Sequence, residues 1–336
     1  MKLKAALLGA AALALVAGSA SAADLACLIT KNNTNPFFVK MKEGAEAAAT
    51  AAGMDFQAFA GEKDGDAAPQ ITAIENCVAA GAKGILITPS NDSVGPALKA
   101  ARAAGILVIA LDTPLADAEA QDMTFATDNF EAGLLIGKWA AATLGAEGVK
   151  TAKIGMLDIN KDNISVDVQR DTGFLVGFGI EVPDLTVMGS ETDARVIGHE
   201  SSGANPEGGV TSVENLLAKD PDMNVVYTIN EPAAEGAFQA LTKAGKTGVL
   251  VVSVDGGCPG VAAVKAGVIG ATSQQYPLKM ASMGIDAIAA FAKDGTKPAA
   301  SEGLTFFNTG VNLVTDKPAE GVPSIDTTKG TELCWG

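Results

Sequence analysis

The sequence predicts an α/β protein of two similar lobes, each a parallel sheet covered by helices on both faces. Three observations point there. Short apolar, β-type runs alternate along the chain with Ala-rich stretches of helical spacing, the order that builds parallel sheets with crossover helices. One stretch of that plan occurs twice, as KGILITPSNDSVGPALKAARAAGILVIALDT from Lys83 and MNVVYTINEPAAEGAFQALTKAGKTGVLVVSVDG from Met223. Both run strand, polar turn, helix, Ala-Gly, strand, and both end on an aspartate, Asp112 and Asp255. Finally, about 310 residues follow the N-terminal leader, enough for two domains of ordinary size.

The elements follow in order. Lys2 and Lys4 precede an apolar run from Ala5 to Ala17 and the small residues Gly18-Ser19-Ala20-Ser21-Ala22. That is the pattern of a secretory signal peptide, residues 1–22, cut near Ala22; the apolar run is short for a bilayer span. Strands are expected at Leu25–Thr30, Asp55–Ala60, Gly84–Pro89 and Leu107–Asp112 in the first half. In the second they are expected at Lys153–Leu157, Glu181–Met188, Asn224–Ile229, Val249–Val254 and Ile269–Ser273. Between them, Ile71, Ile74 and Val78, and Leu134, Leu135, Lys138 and Trp139, carry helical spacing. In TNPFFVKMKEG, Pro36 sits where a helix takes its first turn.

Composition narrows the function. Asp and Glu number 39 against 24 Lys and Arg, a net charge of −15, with a pI near 4.5. That charge argues against nucleic acid and anionic membrane surfaces as partners. Cys27, Cys77, Cys258 and Cys334 form an even set, which in an exported protein favours disulfides over four buried thiols. Three pairings exist. Position favours Cys27–Cys77, a first strand and a nearby helix, and Cys258–Cys334, after a late strand and near the C-terminus. Zinc is not expected, because C-x-x-C is absent and His199 is the single histidine. A D-x-[DN]-x-[DN]-G calcium loop with its downstream Glu is also absent. Neither metal nor cofactor is expected.

In open parallel sheets ligands bind beyond the carboxyl ends of the strands. The polar residues there are Asn35, Thr88, Ser90, Asp112, Asn230, Asp255 and Gln275. With one histidine they contain no Ser-His-Asp or Cys-His arrangement, and neither G-x-G-x-x-G nor a P-loop follows a strand. Binding without chemistry is expected, although carboxylate or lysine chemistry stays open. Each of Asp112 and Asp255 can cap its own loop or helix. Facing one cleft from two lobes, they suit a neutral polyol, each accepting from two vicinal hydroxyls. Unaccompanied they would repel, so a nearby arginine is required. Arg170 in SVDVQRDTGF is the candidate, its alternative being a solvated helix face. Phe37 and Phe38 begin their helix at the cleft mouth, where aromatic rings cover the C–H face of a sugar; core packing is the other reading.

Together TNPFFVKMKEGA, KGILITPS, VIALDTP, FATDN, INEPAAEGA, VVSVDGG and ATSQQYP resemble the type I periplasmic sugar-binding proteins of ABC importers, over the whole mature chain. CLITKNNTNPFFVKMKEGA, VIALDTPL, SVDGGCPGV, GVIGATSQQYP and the terminal CWG look most like the fructose-binding branch of rhizobial-type importers. The resemblance implies two Rossmann-like lobes joined by a three-crossing hinge near Thr127–Asn129, Gln275–Pro277 and Phe306–Asn308. The N-terminal lobe is then 24–127 plus 277–306 and the C-terminal lobe 128–276 plus 307–336, with each expected disulfide inside one lobe. It also implies a periplasmic monomer that binds a monosaccharide, D-fructose first and other hexoses or ribose after it. An ABC permease with its ATPase is the partner.

Position by position, Asn35, Phe37 and Phe38 match the family's first-loop contacts. Asp112 and Asp255 match its two carboxylates, Arg170 its arginine, Asn230 its amide and Gln275 its hinge glutamine; Thr88 and Ser90 are second-rank contacts. Thr88 stands where the ribose-binding pattern has Asn, Thr113 where it has Arg, and Val254 where it has Phe. The first two point away from ribose, and the third implies a wider or differently shaped pocket, compatible with a ketohexose. The competing functions are a sugar receptor feeding a chemosensory or signalling partner, and a periplasmic sugar-acting enzyme using its carboxylate pair.

Overall fold

A computed structural model describes residues 23–336, so the expected signal peptide lies outside the described residues. Two six-stranded sheets form. The first holds β1 (Leu25–Thr30), β2 (Asp55–Ala60), β3 (Gly84–Ile87), β4 (Leu107–Leu111), β5 (Met123–Ala126) and β11 (Phe307–Asn308). Their order is β11-β5-β4-β3-β1-β2, all parallel. The second holds β6 (Ile154–Asp158), β7 (Val196–Ser201), β8 (Val225–Thr228), β9 (Leu250–Asp255), β10 (Ala271–Gln274) and β12 (Asn312–Val314). It repeats the order as β12-β10-β9-β8-β6-β7, with β12 antiparallel to β10. The duplication read from the two aspartate-terminated stretches is thus a duplication of topology.

Both faces of each sheet are covered. Along β1, Ala26 and Leu28 enter one core while Cys27 and Ile29 enter the other. In the second sheet Val252 and Val254 of β9 face one core and Val251 the opposite one. Strands buried on both sides read as continuous apolar runs, which is why β1, β3, β4, β8 and β9 were legible. A Leu, Ile or Val so placed contributes about 1.5–3 kcal/mol by leaving water.

Two expectations are corrected. Glu181–Met188 is not a strand: Pro183 and Asp184 turn the chain, and Asp184 Oδ1 accepts from Thr186 N and Oγ1 at 2.9 and 2.6 Å. Leu185 and Val187 consequently stay exposed. The strand of that region is β7, whose polar HES segment lies at the sheet edge. The lobe boundary expected at 306 also shifts, because Phe307 and Asn308 pair with Phe125 and Ala126 of the first sheet.

Helices position the cleft. α1 (Pro36–Ala52) and α9 (Pro277–Asp294) pack against the first sheet. In the second lobe α4 (Asn129–Lys150) and α5 (Ser165–Phe178) lie together, and glycines make that closeness possible. A Cβ on Gly133 or Gly137 would collide with the carbonyls of Arg170 or Phe174; one on Gly173 or Gly177 would collide with those of Phe130 or Leu134. These reciprocal notches seat the α5 backbone carrying Arg170 directly on α4.

The chain passes between the sheets after β5, after β10 and between β11 and β12. Thr127 Oγ1 donates to Gln275 Oε1 at 3.3 Å, tying the first crossing to the second. Thr309 N donates to Ala126 O at 2.9 Å, tying the third to the first. Both expected disulfides are present: Cys27–Cys77 with Cα atoms 6.4 Å apart, and Cys258–Cys334 at 4.9 Å. Among the described residues no helix is long and apolar enough to cross a membrane.

Candidate functional site

Asn35, Phe37, Phe38, Asp112, Arg170, Asn230, Asp255 and Gln275 all line one cavity between the lobes. All but Arg170, which stands on α5, lie at or just past a strand end. Asn35 caps α1, Oδ1 accepting from Phe37 N at 2.9 Å, and Pro36 then starts the helix. Phe37 and Phe38 are 3% and 5% exposed, with centroids 5.4 Å apart, edge to face. They belong both to the first lobe's core and to the cavity wall, so the two readings of the pair are compatible.

Asp112 and Asp255 follow the last residues of β4 and end β9. Both have positive φ, 63° and 143°, a conformation that non-glycine residues adopt only when the surroundings impose it. The strained backbone turns both carboxylates toward the gap. Arg170 lies between them. Its Nε donates to Asn129 Oδ1 at 2.7 Å and Nη1 to Ile229 O at 3.1 Å. Nη2 reaches Asp112 Oδ1 at 3.4 Å and Gln275 Oε1 at 3.3 Å. Gln275 Nε2 then donates to Asp255 Oδ1 at 2.8 Å. A polar chain therefore runs from one lobe's carboxylate to the other's through the arginine that their charges require.

Burial pushes the Asp255 carboxyl above its usual range, opposed by the Arg170 guanidinium. Behind it, burial and the Asp255 charge push Glu231 up. Glu231 accepts from Gly256 N, Gly257 N and Thr272 Oγ1 at 2.8, 3.1 and 2.8 Å, bracing the tight turn after β9.

Sequence reasoning missed Lys31 and Asp64, which line the cavity from the loops after β1 and β2. Their side chains are 3.9 Å apart and nearly buried. Burial raises the Asp64 carboxyl against the pull of Lys31. The rule that drew attention to Asn35, extended one strand outward, would have found both. Ile159, Val166, Ala204 and Ile229 complete the apolar wall.

Two candidates stand elsewhere. Thr88 and Ser90 do not line the cavity; both are fully buried one layer behind it. Thr88 Oγ1 accepts from Lys31 N at 3.1 Å, and Gln70 holds Thr88 O and Ser90 N at 2.8 Å each. Short side chains there leave room for Gln70 to tie the loops together. Asn230 keeps a second duty as the α7 (Glu231–Lys243) cap, Oδ1 accepting from Ala233 N at 3.1 Å.

Asp112 of the first lobe and Arg170 of the second meet at 3.4 Å across the gap. The lobes stand closed, with Arg170 in the middle. Trp335 secures the hinge side: its Nε1 donates to Gln275 O at 2.7 Å, and its ring meets Phe37 edge to face at 5.4 Å.

Residues 26–297 match the family described as periplasmic binding protein domain. The chain is 30% identical over 288 residues to the ribose import binding protein of Escherichia coli K12, covering 85% of this chain and 91% of that one. It is 28% identical to the D-allose-binding periplasmic protein of the same organism, covering 84% and 88%. A solute-binding protein from Agrobacterium vitis, solved with alpha-D-tagatopyranose, superposes with a TM-score of 0.75 and 20% identity over 93% of this chain and 99% of that one.

Proposed function

This chain belongs to the periplasmic binding protein family, and from that premise we propose that it captures a monosaccharide between its lobes and delivers it to an ABC permease and its ATPase. D-fructose is the first choice, ahead of other hexoses and ribose. The reading is carried by one cavity to which the first lobe gives Phe37, Phe38 and Asp112 and the second gives Arg170, Asn230 and Asp255. Aromatic faces suit the C–H side of a sugar ring, and carboxylates joined by an arginine suit its hydroxyls. The long Arg170 contacts, 3.3–3.4 Å, are the ones a sugar hydroxyl replaces most easily.

Closure follows from the same chemistry. A ligand touching both lobes binds the closed state better than the open one and shifts the population toward it by that difference. The hinge crossings absorb the motion, and each disulfide leaves it free because each lies within one lobe. The preference for fructose rests on the phrases shared with fructose-binding relatives and on Thr88, Thr113 and Val254 departing from the ribose pattern. Lys31, with Asp64 beside it, offers the first lobe a cation where Thr113 replaces one. The relatives are import and periplasmic binding proteins, and in that role the sugar leaves unchanged. The mature protein acts in the periplasm as a monomer.

Thermal-shift screening against fructose, ribose, mannose, galactose, xylose and polyols tests this. Fructose is expected to raise Tm most; a ligand at a hundred times its Kd adds about 2.7 kcal/mol. Asp255→Ala is expected to abolish the shift. A full shift in that variant removes Asp255 from the site, and conversion of the sugar on incubation replaces transport by catalysis.

A further inference from the structure

A second cluster of charged groups lies where β6, β7 and α5 meet, and the sugar reading does not use it. Asp158 ends β6, Asp167 and Asp171 stand one turn apart on α5, His199 is on β7, and Glu191 comes from the loop before it. The four carboxylates are almost wholly buried. No lysine or arginine among the described residues lies within 4.0 Å of any of them, and His199 is the one basic group present. Of the ten buried side-chain atoms without a hydrogen-bond partner among the described residues, six are here. They are Asp158 Oδ1, Asp167 Oδ1, both oxygens of Asp171, Glu191 Oε2 and Tyr227 Oη. A buried carboxylate with neither oxygen satisfied is costly, and Asp171 is fully buried.

We propose that Asp158, Asp171 and His199 form a site for a first-row divalent cation such as Zn²⁺ or Mn²⁺. His199 Nδ1 lies 2.9 Å from Asp158 Oδ2 and 3.4 Å from Asp171 Oδ2. Those are the edges expected between neighbouring ligands of an ion with bonds of about 2.1 Å, and one ligand atom from each residue falls within 4.8 Å of the others. On the opposite nitrogen, His199 Nε2 meets Glu191 Oε1 at 2.9 Å. A carboxylate on the far ring nitrogen is the arrangement that fixes a metal-binding histidine's tautomer and frees its other nitrogen for the ion. Asp167 is already committed on one oxygen, Oδ2 accepting from Ile159 N at 2.7 Å, and stands beside the site as further negative charge.

An imidazole with two carboxylates selects a transition ion over Ca²⁺, which takes six to eight oxygens. The single histidine that argued against zinc at the sequence level concerned Cys- and His-rich sites. Here carboxylates from β6 and α5 supply what further histidines would. His199 keeps 21% of its side chain exposed, a path for the ion. Binding would pin α5 to β6 and β7, and hence stiffen the helix that carries Arg170.

Untagged protein purified without chelator is assayed for metal by mass spectrometry, then stripped and titrated with Zn²⁺, Mn²⁺ and Ca²⁺. One equivalent of Zn²⁺ or Mn²⁺ per chain is expected, with a rise in Tm. Asp171→Asn and His199→Gln are each expected to weaken binding at least a hundredfold, and Glu191→Gln ten- to a hundredfold. Removing one of several crowded, buried carboxyl groups leaves stripped Asp171→Asn at least as heat-stable as stripped wild type, so its loss of metal is not a loss of fold. Unchanged Tm with all three ions, a preference for Ca²⁺, or equal Zn²⁺ binding by Asp171→Asn overturns the proposal; the first of these means that protons neutralise the cluster.

Discussion

Arg170 holds three parts of the site at once: Asn129 from α4, Asp112 across the cleft and Gln275 at the hinge. Its neighbours show how far single residues were readable. Asp112 and Asp255 stood out as paired strand-terminal aspartates. Their positive φ, which aims the carboxylates, left no trace in the sequence because glycine was not used there. Thr88 and Ser90 met the same strand-end criterion and failed it spatially, since the criterion locates a loop and not the direction of a side chain. Glu231 was passed over because it reads as an ordinary first-turn acid; only its contacts with Gly256, Gly257 and Thr272 reveal its role. Burial raises its carboxyl from 4.5 to about 8, so it binds its proton more tightly folded than unfolded. The stabilisation this gives is complete at low pH and is lost as pH climbs from about 4.5 to about 8. In sugar-free protein, the Tm of Glu231→Gln minus that of wild type is therefore expected to grow across that interval. Parallel melting curves would contradict the assignment.

At the scale of elements, the legible strands were those buried on both faces, where nothing but apolar residues fits. β7 was not legible because it is an edge strand carrying Gly198, His199 and Glu200 into a polar cluster. EVPDLTVM mimicked a strand by composition while Pro183 and Asp184 forced a turn. The α4–α5 contact was hidden too: four glycines among Ala-rich helices look like weak helix formers rather than notches. Gly133 tests their role. A methyl there must displace the Arg170 carbonyl, shifting the residue that bridges the carboxylates. Gly133→Ala is expected to lower Tm by several degrees and weaken sugar binding at least tenfold, with the far-UV circular dichroism preserved. Unaltered affinity, measured by calorimetry, would show that α5 can retreat without moving the guanidinium.

At the scale of the whole molecule, two copies of one topology face each other, three crossings join them, and the C-terminus returns to brace the hinge. The duplicated plan was readable from the repeated phrases, and the crossings only from the family resemblance. The brace was not, because Trp335 acts through Gln275 and Phe37, distant in sequence. Cys258–Cys334 fixes the segment that delivers Trp335, whereas Cys27–Cys77 staples a strand to a helix inside the first lobe. By loop-closure entropy the two bridges, spanning 50 and 76 residues, stabilise by similar amounts, about 4 kcal/mol each. Their effects on binding are expected to differ. Replacing Cys258 and Cys334 by serine lowers sugar affinity several-fold more than replacing Cys27 and Cys77, in titrations below both melting temperatures. Equal affinities would detach the C-terminal brace from the site.

The central claim is that acidic groups from both lobes hold one uncharged sugar. Calorimetric titration of mature wild type, Asp112→Asn and Asp255→Asn with D-fructose tests it most directly. One sugar per chain is expected for wild type, with at least a tenfold loss of affinity in each single variant. Undiminished affinity in both variants would contradict it.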